Sequence, residues 1–279
     1  MIETRGFRIA RAIVLTLLSL FVVVPLYIIV ATAFKPLEDV RGRFTWIPSS
    51  LTVEPFIEMW RTVPLADYFV NSVIVTMTAT ALSVLISIFA SYAIARLSFP
   101  LKRPFSLVIL STQMFPGILF LLPLFLIFTQ IQRAIGLQLN GNYLGLIITY
   151  LTFSLPFSIW MLSGYLRGIP RELEEAAMID GSSRLGALFR VVLPVARPGI
   201  IAVGVFAFIN AWSEVLFASV LTNNDTRTLP IGLQSYSSES DVLWNELMAA
   251  SITVSLPIIL AFLFVQRYLV AGLSAGAVK

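Results

Sequence analysis

No histidine and no cysteine occur among the 279 residues, and only 12% of them are charged. The first absence removes the commonest general base, thiolate nucleophiles and the usual zinc ligands. No metal-ligating cluster and no catalytic residue is therefore expected. Disulfides are ruled out, so cysteine usage carries no information on the redox compartment. Lysine is scarce as well: Lys35, Lys102 and Lys279 are the three in the chain, and none follows a glycine. A phosphate-cradling P-loop needs a Gly-Lys pair before Ser or Thr, so this chain has no such ATP site. Work driven by ATP would need a second protein to hydrolyse it.

The shortage of charge decides the class. Soluble domains carry about 25% charged and about 45–50% apolar residues, whereas here 58% are hydrophobic and the mean hydropathy is +0.90. The chain is read as an all-α, polytopic membrane protein forming a single domain over residues 1–279. Its net charge of +4 does not point to nucleic acid, because the basic residues flank the apolar runs instead of gathering in one patch.

Six predominantly apolar stretches are long enough to cross a hydrocarbon core of about 30 Å. They lie near Ala12–Phe34, Ser72–Ala95, Phe105–Ile131, Leu144–Leu166, Gly199–Leu221 and Met248–Val270. Pro25, Pro116, Pro123, Pro156 and Pro257 fall inside these stretches. A proline in a span frees a carbonyl that a neighbour or water must satisfy, so kinked, mutually packed helices are expected.

Charge sets the orientation. With the N-terminus inside, 13 of the Lys and Arg residues fall on the cytoplasmic side and 6 outside, while nine acids lie outside and five inside. The positive-inside rule then places both termini in the cytoplasm. The apolar run after Arg5, Arg8 and Arg11 exceeds the roughly 7–15 residues of a signal-peptide core, so it reads as an uncleaved span despite Ala31-Thr32-Ala33.

Most loops are short, but the one between the fourth and fifth spans, residues 167–198, is not. Pro170 suits a first helical turn, and Glu172, Glu174 and Glu175 stand where the helix dipole favours negative charge. Gly181 is placed to end that helix in the left-handed conformation. Ser182 or Ser183 then caps a second helix, which Pro194 is expected to stop. Along it Leu185, Leu188, Phe189 and Val192 form an apolar stripe. The first helix exposes the small side chains of Ala176 and Ala177. Such a cytoplasmic helix pair either lies at the lipid interface or docks into a partner's groove. A DNA-reading role fits poorly, since two flanking spans hold it at the bilayer.

Glu175-Ala176-Ala177, three residues, Gly181, nine residues, Val191, one residue, Leu193-Pro194 resembles the EAA loop of binding-protein-dependent ABC importer permeases, with Val191 in place of Ile. The resemblance extends over nearly the whole chain and is closest to MalG-like permeases of carbohydrate importers. Phe208-Ile209-Asn210-Ala211-Trp212-Ser213-Glu214 is similar to that group's fifth-span signature, with Ser213 replacing Asn. Residues Gln266–Lys279 look like its C-terminal tail. The resemblance implies an ATPase-coupling role for Glu174, Glu175, Ala176, Ala177, Met178, Asp180, Gly181, Val191, Leu193 and Pro194. It also implies a MalF-like second permease, two ABC ATPase subunits that bind ATP and Mg, an extracytoplasmic sugar-binding protein, and a bacterial or archaeal cell membrane. No cofactor is expected in this chain.

Glu214 is the ionisable residue well inside a span, and burying its charge is costly, so it is a candidate pathway residue together with Asn210 and Ser213. A structural carboxylate, with Asn210 as packing glue, is the plainer reading. An ion-coupled secondary transporter using Glu214 is the rival function, although no internal repeat supports it. Trp46, Trp60 and Tyr68 in the first outer loop read as interface anchors. In the last outer loop, Asn223, Asn224, Asp225 and Tyr236 are the binding-protein docking candidates that the resemblance implies.

Overall fold

The computed structural model describes residues 4–237 and 241–276, with side chains described as far as residue 266. Part of the C-terminal tail reading, including Lys279 and the side chain of Arg267, lies outside the described residues, as does Ser238. The elements are α-helical: α1 (Arg5–Ala33), α2 (Leu37–Arg41), α3 (Glu54–Thr62), α4 (Leu65–Arg96), α5 (Lys102–Thr112), α6 (Leu121–Ile135), α7 (Tyr143–Arg167), α8 (Glu172–Ile179), α9 (Arg184–Ala187), α10 (Leu193–Trp212), α11 (Leu216–Leu221), α12 (Leu229–Gln234) and α13 (Trp244–Gly276). Among the described residues six helical runs are long and apolar enough to span a membrane: Arg5–Ala33, Leu65–Arg96, Gly117–Ile135, Tyr143–Arg167, Arg184–Trp212 and Trp244–Gln266.

Two of the expected spans are corrected. The third does not run from Phe105, because the helix stops at Thr112 and restarts as a 3-10 turn over Gly117–Phe120 before α6. Pro116 is the N-cap of that turn, and its missing N–H and fixed φ suit a helix start better than an interior. The fifth span is broken at its other end. α10 finishes at Trp212 and α11 begins at Leu216, so Glu214 sits in the gap and not on a helix face shared with Asn210.

Two compact units are distinguished by their internal contacts. One comprises Met1–Ala66 and Gly232–Leu256. Its α1 is exposed along almost its whole length, a surface that only lipid or another protein suits. Buried Lys35 donates from Nζ to the Thr45 carbonyl at 2.5 Å and lies 5.5 Å from the Phe44 ring centroid, which balances a charge otherwise costly to bury. Tyr236, also buried, donates to the Met59 carbonyl at 2.5 Å. Its burial first, and then the charge of Glu246, push the hydroxyl pKa upward and keep it a protonated donor. Trp46 and Trp60 are exposed, as interface anchors require.

The other unit comprises Asp67–Ile231 and Pro257–Lys279, and here α4, α7 and α10 pack together. One apolar cluster gathers Val75, Leu146, Tyr150, Ala211 and Phe217. A second gathers Tyr92, Leu162, Leu166, Leu188, Val192 and Val203. Buried serines also join α4 to α7: Ser154 donates to the Ser83 hydroxyl at 3.1 Å, with Ser158 beside it at 3.4 Å. Lipid tails are as apolar as leucine, so small side chains and hydrogen bonds hold membrane helices together. Gly199 shows how close the approach is, since a Cβ there would lie 2.6 Å from the Tyr165 ring.

Candidate functional site

Two polar sites stand out in the second unit. The first is built on α8. Gly181 has φ +89°, the left-handed region that glycine enters without steric cost. Its N–H donates to the Met178 carbonyl at 3.1 Å, and Ser182 N–H to the Ala177 carbonyl at 3.0 Å. This is the paired bonding of a Schellman motif. Ser183 then accepts from Gly186 N–H at 3.1 Å as the N-cap of α9. Pro170 stands one residue before the N-cap of α8, Arg171, and not in the first turn.

Pro194 does not stop the second helix. Leu188–Val192 form a π turn, and Leu193 N–H donates to the Leu188 carbonyl five residues back. The widened turn leads straight into α10, where Pro194 occupies the first positions and needs no donor partner. The apolar stripe is split as a result: Leu188 and Val192 are buried, while Leu185 and Phe189 are exposed.

Along α8 the anticipated residues separate by burial. Glu175, Ala176 and Asp180 are exposed, and Ala177 and Met178 are half-buried. Ile179, at 85% exposure, extends the open face. Val191 and Leu193 are half-buried and Pro194 is exposed. Glu174 turns inward. It is 6% exposed, pairs with Arg96 Nε at 3.3 Å and accepts a hydrogen bond from the Tyr92 hydroxyl. Arg96 also donates to the Ile169 carbonyl at 2.9 Å, and Arg171 to the Ala95 carbonyl at 3.2 Å. The base of α8 is thus pinned to the end of α4. Sequence reasoning used Arg96 only as a flanking charge and missed Tyr92 altogether; their spacing of four, one helical turn, was the available signal.

The second site is a cavity of about 260 Å³ whose lining includes Gln113, Tyr150, Phe153, Asn210, Glu214 and Phe217. Asn210 and Glu214 are brought together there, whereas Ser213 is not among its lining residues. The Ser213 hydroxyl donates to the Ile209 carbonyl at 2.7 Å. Glu214 accepts from Phe217 N–H at 2.8 Å and Ala218 N–H at 3.0 Å. It satisfies donors that the start of α11 leaves unpaired. The aromatic lining escaped notice because phenylalanine is unremarkable in an apolar span.

Of the outer-loop candidates, Asn223 is committed to its own turn, accepting from Asp225 N–H at 3.0 Å and Thr226 N–H at 3.1 Å. Asn224 and Asp225 are exposed. Tyr236 is buried and its hydroxyl is engaged, and Tyr68 is buried too, so it is no interface anchor.

Residues 83–275, which contain both sites, match the family of binding-protein-dependent transport system inner membrane components. The chain belongs to that family. It is 39% identical over 236 residues to the sulfoquinovosyl glycerol transport system permease protein SmoH of Agrobacterium fabrum, covering 84% of this chain and 81% of that one. It is 35% identical over 272 residues to the trehalose transport system permease protein SugB of Mycobacterium tuberculosis, covering 96% of each. Its fold matches a crystal structure of a bacterial ABC transporter involved in the import of the acidic polysaccharide alginate, with TM-score 0.82, 19% identity, and 96% and 99% of the two chains covered. As a multi-pass ABC permease, the chain leaves the ion-coupled transporter reading of Glu214 without support.

Proposed function

We propose that this chain is a non-catalytic permease subunit of a carbohydrate importer, and that α8 with the turn after it is its docking element for an ATPase subunit. Relatives that carry di- or oligosaccharides and related glycosides support the substrate class. The observation that carries the coupling role is the division of α8 into two faces. Glu175, Ala176 and Ile179 stand exposed, while Glu174 on the same helix is tied into the protein through Arg96. A helix that is open on one face and anchored on the other passes a push from a partner to the spans behind it.

On this reading the chain pairs with a second permease, and two ATPase subunits hold ATP and Mg on the cytoplasmic side, where both termini lie. An extracytoplasmic sugar-binding protein delivers substrate, and exposed Asn224 and Asp225 are its docking candidates. ATP-driven closure moves α8, and α10 follows through the continuous helical run Arg184–Trp212, π turn included. Coupling of this kind needs a two-state element biased from both sites. The test is Gly181→Asp in the assembled importer. Aspartate enters the left-handed turn less readily than glycine and adds a negative charge beside Asp180, so sugar-stimulated ATP hydrolysis and uptake are expected to collapse together. Unchanged rates would overturn the assignment.

A further inference from the structure

The face on which the cavity opens is unsuited to lipid. Gln113, Asn210 and Ser213 are exposed and Glu214 is only half-buried, although all lie beside apolar helices. Polar groups at such positions face a water-filled path or another protein, because hydrocarbon leaves them unsatisfied. Tyr150 lines the same cavity, with its hydroxyl closed off from water. A carboxylate offers about four acceptor positions, and the two backbone N–H groups bound to Glu214 leave the others available.

From these observations we infer that the cavity is a subsite of the transport path for one uncharged sugar ring, set against a phenylalanine wall and hydrogen-bonded by Glu214. The inference rests on the permease reading above. At about 260 Å³ the cavity falls below the roughly 300–1,000 Å³ of sites that enclose a whole drug-sized ligand. It takes one ring, and the rest of a larger glycoside stays in the open path. Phe153 and Phe217 stack on each other with centroids 4.7 Å apart, and the pair forms one apolar wall against which the C–H face of a pyranose can lie. Glu214 accepts from ring hydroxyls. Charge sets the selectivity. The lining contains one carboxylate and, among the described residues, no lysine or arginine, so a uronate or sulfonate meets repulsion with no compensating cation.

The chain has no cysteine, which gives a direct test in the assembled importer in nanodiscs. Thr112→Cys places one thiol in this subunit at the cavity wall, and its labelling is followed by mass spectrometry of the tagged peptide. A cationic methanethiosulfonate is expected to outpace an anionic one by about tenfold beyond their ratio on a free thiol. Adding Glu214→Gln, which keeps an acceptor oxygen, should bring that excess close to one. Trehalose, maltose and diacetylchitobiose serve as neutral probes and glucuronate as the charged one. At least one neutral sugar should slow labelling several-fold while glucuronate does not. Equal labelling by both reagents, protection by glucuronate as strong as by neutral sugars, or no protection at all would overturn the subsite. Uptake by the parent importer separates the two readings. ATP-dependent sugar uptake with no protection removes the subsite alone, and absence of any such uptake removes the permease reading with it.

Discussion

Glu174 and Glu214 are both carboxylates taken out of bulk water, and the structure handles them in opposite ways. Glu174 is paired with a full positive charge, Arg96, and accepts a hydrogen bond from a phenol, beside a cavity of about 160 Å³ that both charged side chains line. Glu214 has two backbone amides and an open cavity. A buried, paired charge is a fixed joint, since moving either partner leaves the other uncompensated. A carboxylate held by amides, with acceptor positions to spare, keeps its charge available to whatever enters. The first arrangement suits the transmission of force and the second suits contact with a passing molecule.

The contrast is sharpest if Arg96 is removed. Arg96→Ala strands Glu174 and should cost about 3–5 kcal/mol, read as a large fall in the thermal midpoint of the purified complex. Replacing both partners, Arg96→Met with Glu174→Leu, should recover most of that loss while uptake stays impaired, because the joint is then apolar and no longer specific. Gly199→Ala tests packing away from either carboxylate. The Tyr165 ring stands where the methyl would go, and a penalty of about 1–3 kcal/mol is expected from overpacking. Glu214→Ala comes next, at about 0.5–2 kcal/mol for the lost cap. If Glu214→Ala proved as damaging as Arg96→Ala, the division into joint and open site would fail. Ser183→Ala closes the series at about 1 kcal/mol, a local loosening of α9 best seen as faster amide exchange at Gly186.

Much of this architecture was legible because it is local. Gly181 and the serine pair announce a helix end and a helix start within three residues, and both lie as expected. The spans were visible for the same reason, as averages over a window. Averaging also concealed the break at Ser213–Val215, since a helix interruption flanked by Trp212 and Leu216 keeps the window apolar. The third span was misplaced likewise, with Pro116 read as a kink where it is a boundary. Arg96 and Glu174 are 78 positions apart in the chain, and no periodicity reports on a pair that only the folding of α4 against α8 brings together. The cavity had the same obscurity. Asn210 and Glu214 were conspicuous, but Tyr150 and Phe153 come from another span and carry no mark of the company they keep.

The π turn over Leu188–Val192 has a consequence for angular phase. Each residue advances an α-helix by about 100°, so one residue accommodated in a wider turn offsets everything before it from everything after it. α9 and α10 are continuous along the axis yet out of step around it: Leu188, Val192 and Ala196 return to the core every four residues, a spacing wider than the 3.6 of an α-helix. The turn works as a fixed phase shifter between the exposed face of α9 and the surface buried among the spans. Deleting Phe189 would restore an unbroken helix and swing the α9 face by roughly a quarter turn, separating docking from transport without altering any residue in either site.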